Sequence, residues 1–274
     1  MPDPTWVQQR QMERYFAQSV KFNPALPVVI SEGDSWFSFP AHWNTIDHLD
    51  DLTNHRMSLL RLEQSGDTLA RMTTGTEREE LQHLFSIYPI DVLLFSGGGN
   101  DVVGPELQNL FNRVPDGGNW RDFIRQNAMD GQFDFIANRY HSLADLRDTE
   151  RPNCWIFTHG YDYVRPSGKP TKYWLWPIPI NVTVGPWIKN NLAKVNITTE
   201  PALTEVVHYL IDRFNETLLK VAAAHDRYHH VDLRGMLGDN DWSDELHPTR
   251  DGFRRIAQKF LAGLRDALPV KFPH

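Results

Sequence analysis

The chain has 274 residues, with 28 Lys and Arg against 35 Asp and Glu, for a formal net charge of −7. That balance, without any run of basic residues, argues against nucleic acid or an anionic membrane surface as the main partner. At 41% hydrophobic and 23% charged residues the composition is globular rather than disordered, and a lone cysteine, Cys154, excludes an internal disulfide framework and any multi-cysteine zinc site.

No segment reaches the ~18 apolar residues of a membrane span. The polar start of the chain lacks the apolar stretch of a secretion signal, so a cytoplasmic protein without stable membrane insertion is expected. Five short apolar runs follow, at residues 26–30, 57–62, 91–95, 154–157 and 230–233, each closed by small or polar residues. Between them, helical spacing is read at 76–88, about 133–147 and 201–225. A last helix at 248–268 carries Phe253, Ile256, Phe260 and Leu264 as one apolar stripe, with Pro248 suited to its first turn.

Apolar strands alternating with amphipathic helices predict a parallel sheet covered on both faces. The whole of 1–274 is read as one domain, with insertions near 112–130 and 161–196. Both insertions read as long loops. The second holds Tyr173, Trp174, Trp176 and Trp187, enough aromatic surface to argue against disorder. In such sheets ligands bind beyond the carboxyl ends of the strands. The small polar clusters fall at those ends.

The first cluster is Gly33-Asp34-Ser35. A serine in a tight turn after a buried strand can stand at the rim of the sheet, but it needs a neighbouring base to become a nucleophile. The competing reading is a plain turn serine. A base is available in Asp244-Glu245-Leu246-His247: a carboxylate three residues before a histidine can fold back onto Nδ1 and leave Nε2 free for a serine proton. The competing reading there is an Asp244 that caps the following helix. Gly97-Gly98-Gly99-Asn100-Asp101 offers close backbone approach and, in Asn100, a neutral amide donor for a developing oxyanion. A phosphate loop is the alternative, although neither standard glycine pattern is present. Gly66, in Gln64-Ser65-Gly66-Asp67, offers an unobstructed backbone N–H.

These blocks, in this order, resemble the SGNH hydrolase superfamily, the GDSL-type esterases and lipases. Trp36 stands where the name-giving motif has Leu. The resemblance spans most of the chain and leaves out the two insertions. It implies a three-layer α/β/α sandwich on a five-stranded, flavodoxin-like sheet. It also implies an ester hydrolase that needs no cofactor or metal. Ser35 would be the nucleophile, His247 the base and Asp244 its orienting acid. The backbone N–H groups of Ser35 and Gly66 and the Asn100 side chain would form the oxyanion hole. Asp34 and Asp101 are read as holding their turns rather than reacting.

Trp36, His159, Trp174 and Trp176 are expected to shape the substrate site, with His159 near its rim. His42, His48 and His55 are expected on a surface loop. The substrate would be a small-molecule, lipid or carbohydrate ester. Acetylated sugars, lysophospholipids and thioesters fit the same residues, and oligomeric state is not legible. A metallohydrolase finds no His-Glu-x-x-His or Asp-x-His pair. A non-catalytic lipid- or carbohydrate-binding protein would not need Ser35, Asn100, Asp244 and His247 together.

Overall fold

The computed structural model describes the backbone of residues 4–175 and 180–273, with side chains over 11–173 and 182–273. In chain order the first half runs α1 (Pro4–Phe22), β1 (Val28–Gly33), α2 (Thr45–Leu52), β2 (Ser58–Arg61), α3 (Leu69–Met72), α4 (Gly75–Ile87), β3 (Val92–Ser96) and α5 (Gly99–Val102). The second half runs α6 (Gln126–Glu150), β4 (Trp155–His159), β5 (Thr171–Leu175), β6 (Ile180–Val184), α7 (Lys189–Lys194), α8 (Glu200–Ala224), β7 (Tyr228–Val231) and α9 (Arg250–Ala267). Five strands form one parallel sheet in the order β2-β1-β3-β4-β7. Helices α2 and α9 pack together on one side and α4, α6 and α8 on the other, giving a three-layer α/β/α sandwich. No helix among the described residues is long and apolar enough to cross a membrane.

The strand order places the site. The chain leaves β1 toward β2 in one direction and then returns to β3 on the opposite side of β1. Crossovers therefore diverge between β1 and β3, and a crevice opens above their carboxyl ends. Ser35 follows β1 and Asn100 follows β3. Both motifs flank that crevice for a topological reason.

All five core strands lie within two or three residues of the apolar runs, but β1 continues through Ser31, Glu32 and Gly33. Those polar groups are buried with partners: Ser31 Oγ donates to Glu63 at 2.6 Å, and Gly33 N donates to Glu32 Oε1 at 2.8 Å. Burial pushes the Glu32 carboxyl up to about 8, so the interior holds it as the neutral acid, and strand pairing continues past the last apolar residue. The α9 stripe is as read, with Phe253, Ile256, Phe260 and Leu264 all buried. The helix begins later than expected, however. Thr249 caps it by accepting from Gly252 N at 3.2 Å, while Pro248 belongs to the preceding loop and pairs with Trp242.

Helix α1, absent from the elements read in the sequence, packs on edge strand β2, where Ser19 and Ser58 hydroxyls meet at 2.7 Å. Several expectations are corrected. Helix α2, capped by Asn44 and Asp47, carries His48 into the interior, so that histidine is not on a surface loop. Residues 112–130 are not a continuous loop, because α6 begins at Gln126 and Trp120 is buried against Tyr209. Residues 161–196 contain the antiparallel β5–β6 hairpin and α7.

Gly33 pairs with Ser96 in the β1–β3 ladder, and a Cβ there would lie 2.7 Å from both the Cβ and the carbonyl oxygen of Ser96. The strands approach too closely for any side chain. We expect Gly33→Ala to push β1 from β3 and cost about 2 kcal/mol of stability. Thermal unfolding should show a melting point several degrees lower; an unchanged one would contradict this packing.

Candidate active site

Asp34 closes β1. Its backbone carbonyl accepts from Phe37 N and Ser38 N, and its Oδ1 accepts from Trp36 N at 3.0 Å. Ser35 thereby stands at the apex of a tight turn, half-buried, its N–H not among those the turn consumes. Asp34 also accepts from Ser96 Oγ at 2.8 Å and from Tyr161 Oη at 2.5 Å, and Tyr161 Oη in turn accepts from Gly99 N at 2.9 Å. One buried carboxylate thus fixes the ends of β1 and β3 relative to the segment after β4.

Across the crevice, His247 Nε2 lies 2.8 Å from Ser35 Oγ. Its Nδ1 lies 2.9 Å from Asp244 Oδ2 and 3.0 Å from Oδ1. Asp244 does not cap α9. Its Oδ1 accepts from the backbone N–H groups of Leu246 and His247, both at 2.8 Å, folding the loop back on itself. Burial alone would push this carboxyl up. Hydrogen bonds from His247, Thr171 and Leu246 outweigh that and hold it below the usual carboxylate range. Phe39 stacks on the imidazole at 4.4 Å, and the Trp187 ring meets it edge-on at 5.6 Å. Trp36 Nε1 donates to Leu246 O at 3.2 Å, joining the serine turn directly to the histidine loop.

Asn100 Nδ2 donates to the carbonyl of Asp67 at 2.7 Å. Its amide is thereby oriented with its second hydrogen unspent. The same bond brings the loop that holds Gly66, with φ +90°, alongside Asn100. Asp101 Oδ2 accepts from Leu69 N at 2.8 Å, a turn-holding role. The three glycines make room for the protein rather than for substrate. A Cβ on Gly98 would meet the Phe214 ring at 2.8 Å, and one on Gly99 would meet Tyr161 at 2.7 Å.

His159 is not at the rim. It is 0% exposed, beneath the site, stacked on Trp36 at 5.4 Å. Its Nε2 lies 2.8 Å from Ser96 Oγ. Its Nδ1 lies 3.2 Å from the carbonyl oxygen of Gly160. Burial pushes its pKa down to about 4, and the ring stays neutral. His159 supports the turn and has no surface for a ligand. Trp36 does border the crevice. Trp176 and the side chain of Trp174 lie outside the described residues.

Sequence reading missed Thr171 and Glu245. Thr171, the first residue of β5, donates its hydroxyl to Asp244 Oδ2. Glu245, 0% exposed, accepts from Gly168 N and Ile188 N at 2.9 Å and from Lys189 N at 3.1 Å. These residues seat both ends of the hairpin arm on the Asp244–His247 loop. Only the adjacency of Glu245 to Asp244 could have hinted at it.

A serine hydroxyl against an imidazole that is anchored on a buried carboxylate can lose its proton to Nε2 as it attacks a carbonyl. No family model matches the sequence, and no curated protein matches it. Solved structures do. A family 3 carbohydrate esterase of Clostridium thermocellum is 16% identical over 90% of this chain and 99% of that one, with a TM-score of 0.51. An extracellular lipase of Streptomyces rimosus is 13% identical over 86% and 99%, with a TM-score of 0.53. A candidate SGNH hydrolase of Slackia heliotrinireducens is 12% identical over 86% and 97%, with a TM-score of 0.51. At these identities the likeness is one of fold: the chain has the SGNH hydrolase fold that its motifs implied.

The arm attachment is testable without an activity assay. Glu245→Ala leaves three N–H groups unmatched, and we expect amide exchange at Gly168, Ile188 and Lys189 to accelerate at least ~10-fold while β3 amides stay protected. Unchanged exchange at those three sites would show that Glu245 does not hold the arm.

Proposed function

We propose that the chain is a serine-dependent carboxylic ester hydrolase. The observation that carries this reading is the unbroken series from Ser35 Oγ to His247 Nε2 at 2.8 Å and from His247 Nδ1 to Asp244 at 2.9 Å. Ser35 attacks the acyl carbonyl as its proton passes to His247 Nε2, while Nδ1–H stays on Asp244 and the carboxylate stabilises the imidazolium. The oxyanion is received by the N–H groups of Ser35 and Gly66 and by the free hydrogen of the Asn100 amide. His247 then returns its proton to the departing alcohol, and water repeats the sequence on the acyl-serine.

The protein need only supply position and fixed dipoles for this chemistry. Asp34 provides the first by locking the serine turn to Gly99, and the Asp67 carbonyl provides the second by aiming Asn100.

Hydrolysis of 4-nitrophenyl acetate and butyrate tests the reading. We expect Ser35→Ala to lose ~10⁴-fold or more in kcat and Asn100→Ala ~10²–10³-fold, with no effect of EDTA on the wild type. Hydrolysis that survives Ser35→Ala, or that stops in EDTA and returns with a divalent cation, would overturn it. A folded wild type inert toward every ester would favour a binding protein on this scaffold.

A further inference from the structure

From Ser35 and Asn100 a cleft runs between α8 and the residues after β3. Helix α8 contributes Val207, Leu210, Ile211 and Phe214, at helical spacings of three and four, so a single stripe lines one wall. Val103 and Leu107 face it from the segment after Asn100. Among the described residues Asp34 is the only carboxylate at its border, and both its oxygens are occupied by Trp36 N, Ser96 and Tyr161. No Lys, Arg or His side chain borders the cleft among the described residues.

Direction matters as much as lining. In the mechanism above, the leaving alcohol must reach His247, whereas the acyl substituent points away from it. His247 does not border this cleft; Ser35 and Asn100 do. The group that enters it is therefore the acyl side of the ester.

Resting on the hydrolase reading, we propose that this cleft is an acyl subsite for an unbranched aliphatic chain, which makes medium-chain acyl esters the preferred substrates over acetyl esters. An acetyl group leaves the α8 stripe uncovered, and every further methylene buried is worth about fourfold in kcat/KM. A sugar ring or a phosphate in the cleft would find neither cations nor free hydrogen-bonding side chains beyond the reacting groups. Sugars and headgroups are left to the alcohol side, where His247 stands.

The test is the acyl-length profile of 4-nitrophenyl esters from acetate to dodecanoate, for wild type, Ile211→Trp and Ile211→Ala, with octanoate binding to Ser35→Ala followed by calorimetry. We expect the octanoate-to-acetate ratio of kcat/KM to reach ~10² or more in the wild type and to fall at least ~10-fold in Ile211→Trp. Ile211→Ala should move the optimum to a longer chain, and Ser35→Ala should bind octanoate but not acetate. A Ser35-dependent activity that is flat or greatest on acetate overturns the acyl subsite and leaves the hydrolase reading intact. Activity independent of Ser35 overturns the hydrolase reading instead, and the inference is then decided by binding: no octanoate bound, or octanoate bound equally by the Ile211→Trp form of Ser35→Ala, overturns it too.

Discussion

The buried carboxylate of Asp34 is the constraint on which the rest of the site depends. An unpaired charge in the interior is expensive, so a folded state containing Asp34 must surround it with donors. It does so with Trp36 N, Ser96 Oγ and Tyr161 Oη, from the turn after β1, the end of β3 and the segment after β4. Satisfying one side chain therefore sets three separate stretches of chain in register. Tyr161 extends the chain of bonds to Gly99 N, which places Asn100 relative to Ser35. The buried His159 completes it, with Nε2 2.8 Å from Ser96 Oγ and Nδ1 3.2 Å from Gly160 O. Ser35 contributes little to its own position.

The opposite half of the site is built differently. The loop carrying Asp244 and His247 has no regular structure, and its shape comes from Asp244 accepting two of its backbone N–H groups. It is braced from outside by Trp36, by Thr171 and by the arm that Glu245 gathers. The 161–196 insertion is thus attached to the reacting pair at its base, whatever its tip contacts. The arm brings Trp187 to the edge of the imidazole and Ile188 to the border of the apolar cleft.

What was legible in the sequence follows from this division. The parallel sheet and the strand-end clusters could be read because apolar runs and their small-residue terminators are local patterns. The α9 stripe could be read for the same reason. The end of β1 could not, since Glu32 and Ser31 look like a terminator unless their buried partners are known. His159 looked like a rim residue because it ends a strand; its burial is shared with Ser96 and Trp36, over 60 and 120 positions away. Thr171 and Glu245 were invisible for a related reason. Their meaning lies in a contact between an insertion and a loop some 70 residues apart. The four motif blocks were legible as a set, each modest alone, because a serine, an amide donor and an acid-histidine pair serve one chemistry only when they occur together.

The most direct test of the account is covalent capture of the nucleophile. A fluorophosphonate reacts with a serine whose proton is being withdrawn, and intact-mass analysis with peptide mapping locates the adduct. The account predicts a single phosphonyl group on Ser35, formed at least ~10²-fold more slowly in His247→Ala. An adduct at another residue, or labelling of Ser35 at the same rate without His247, would contradict it.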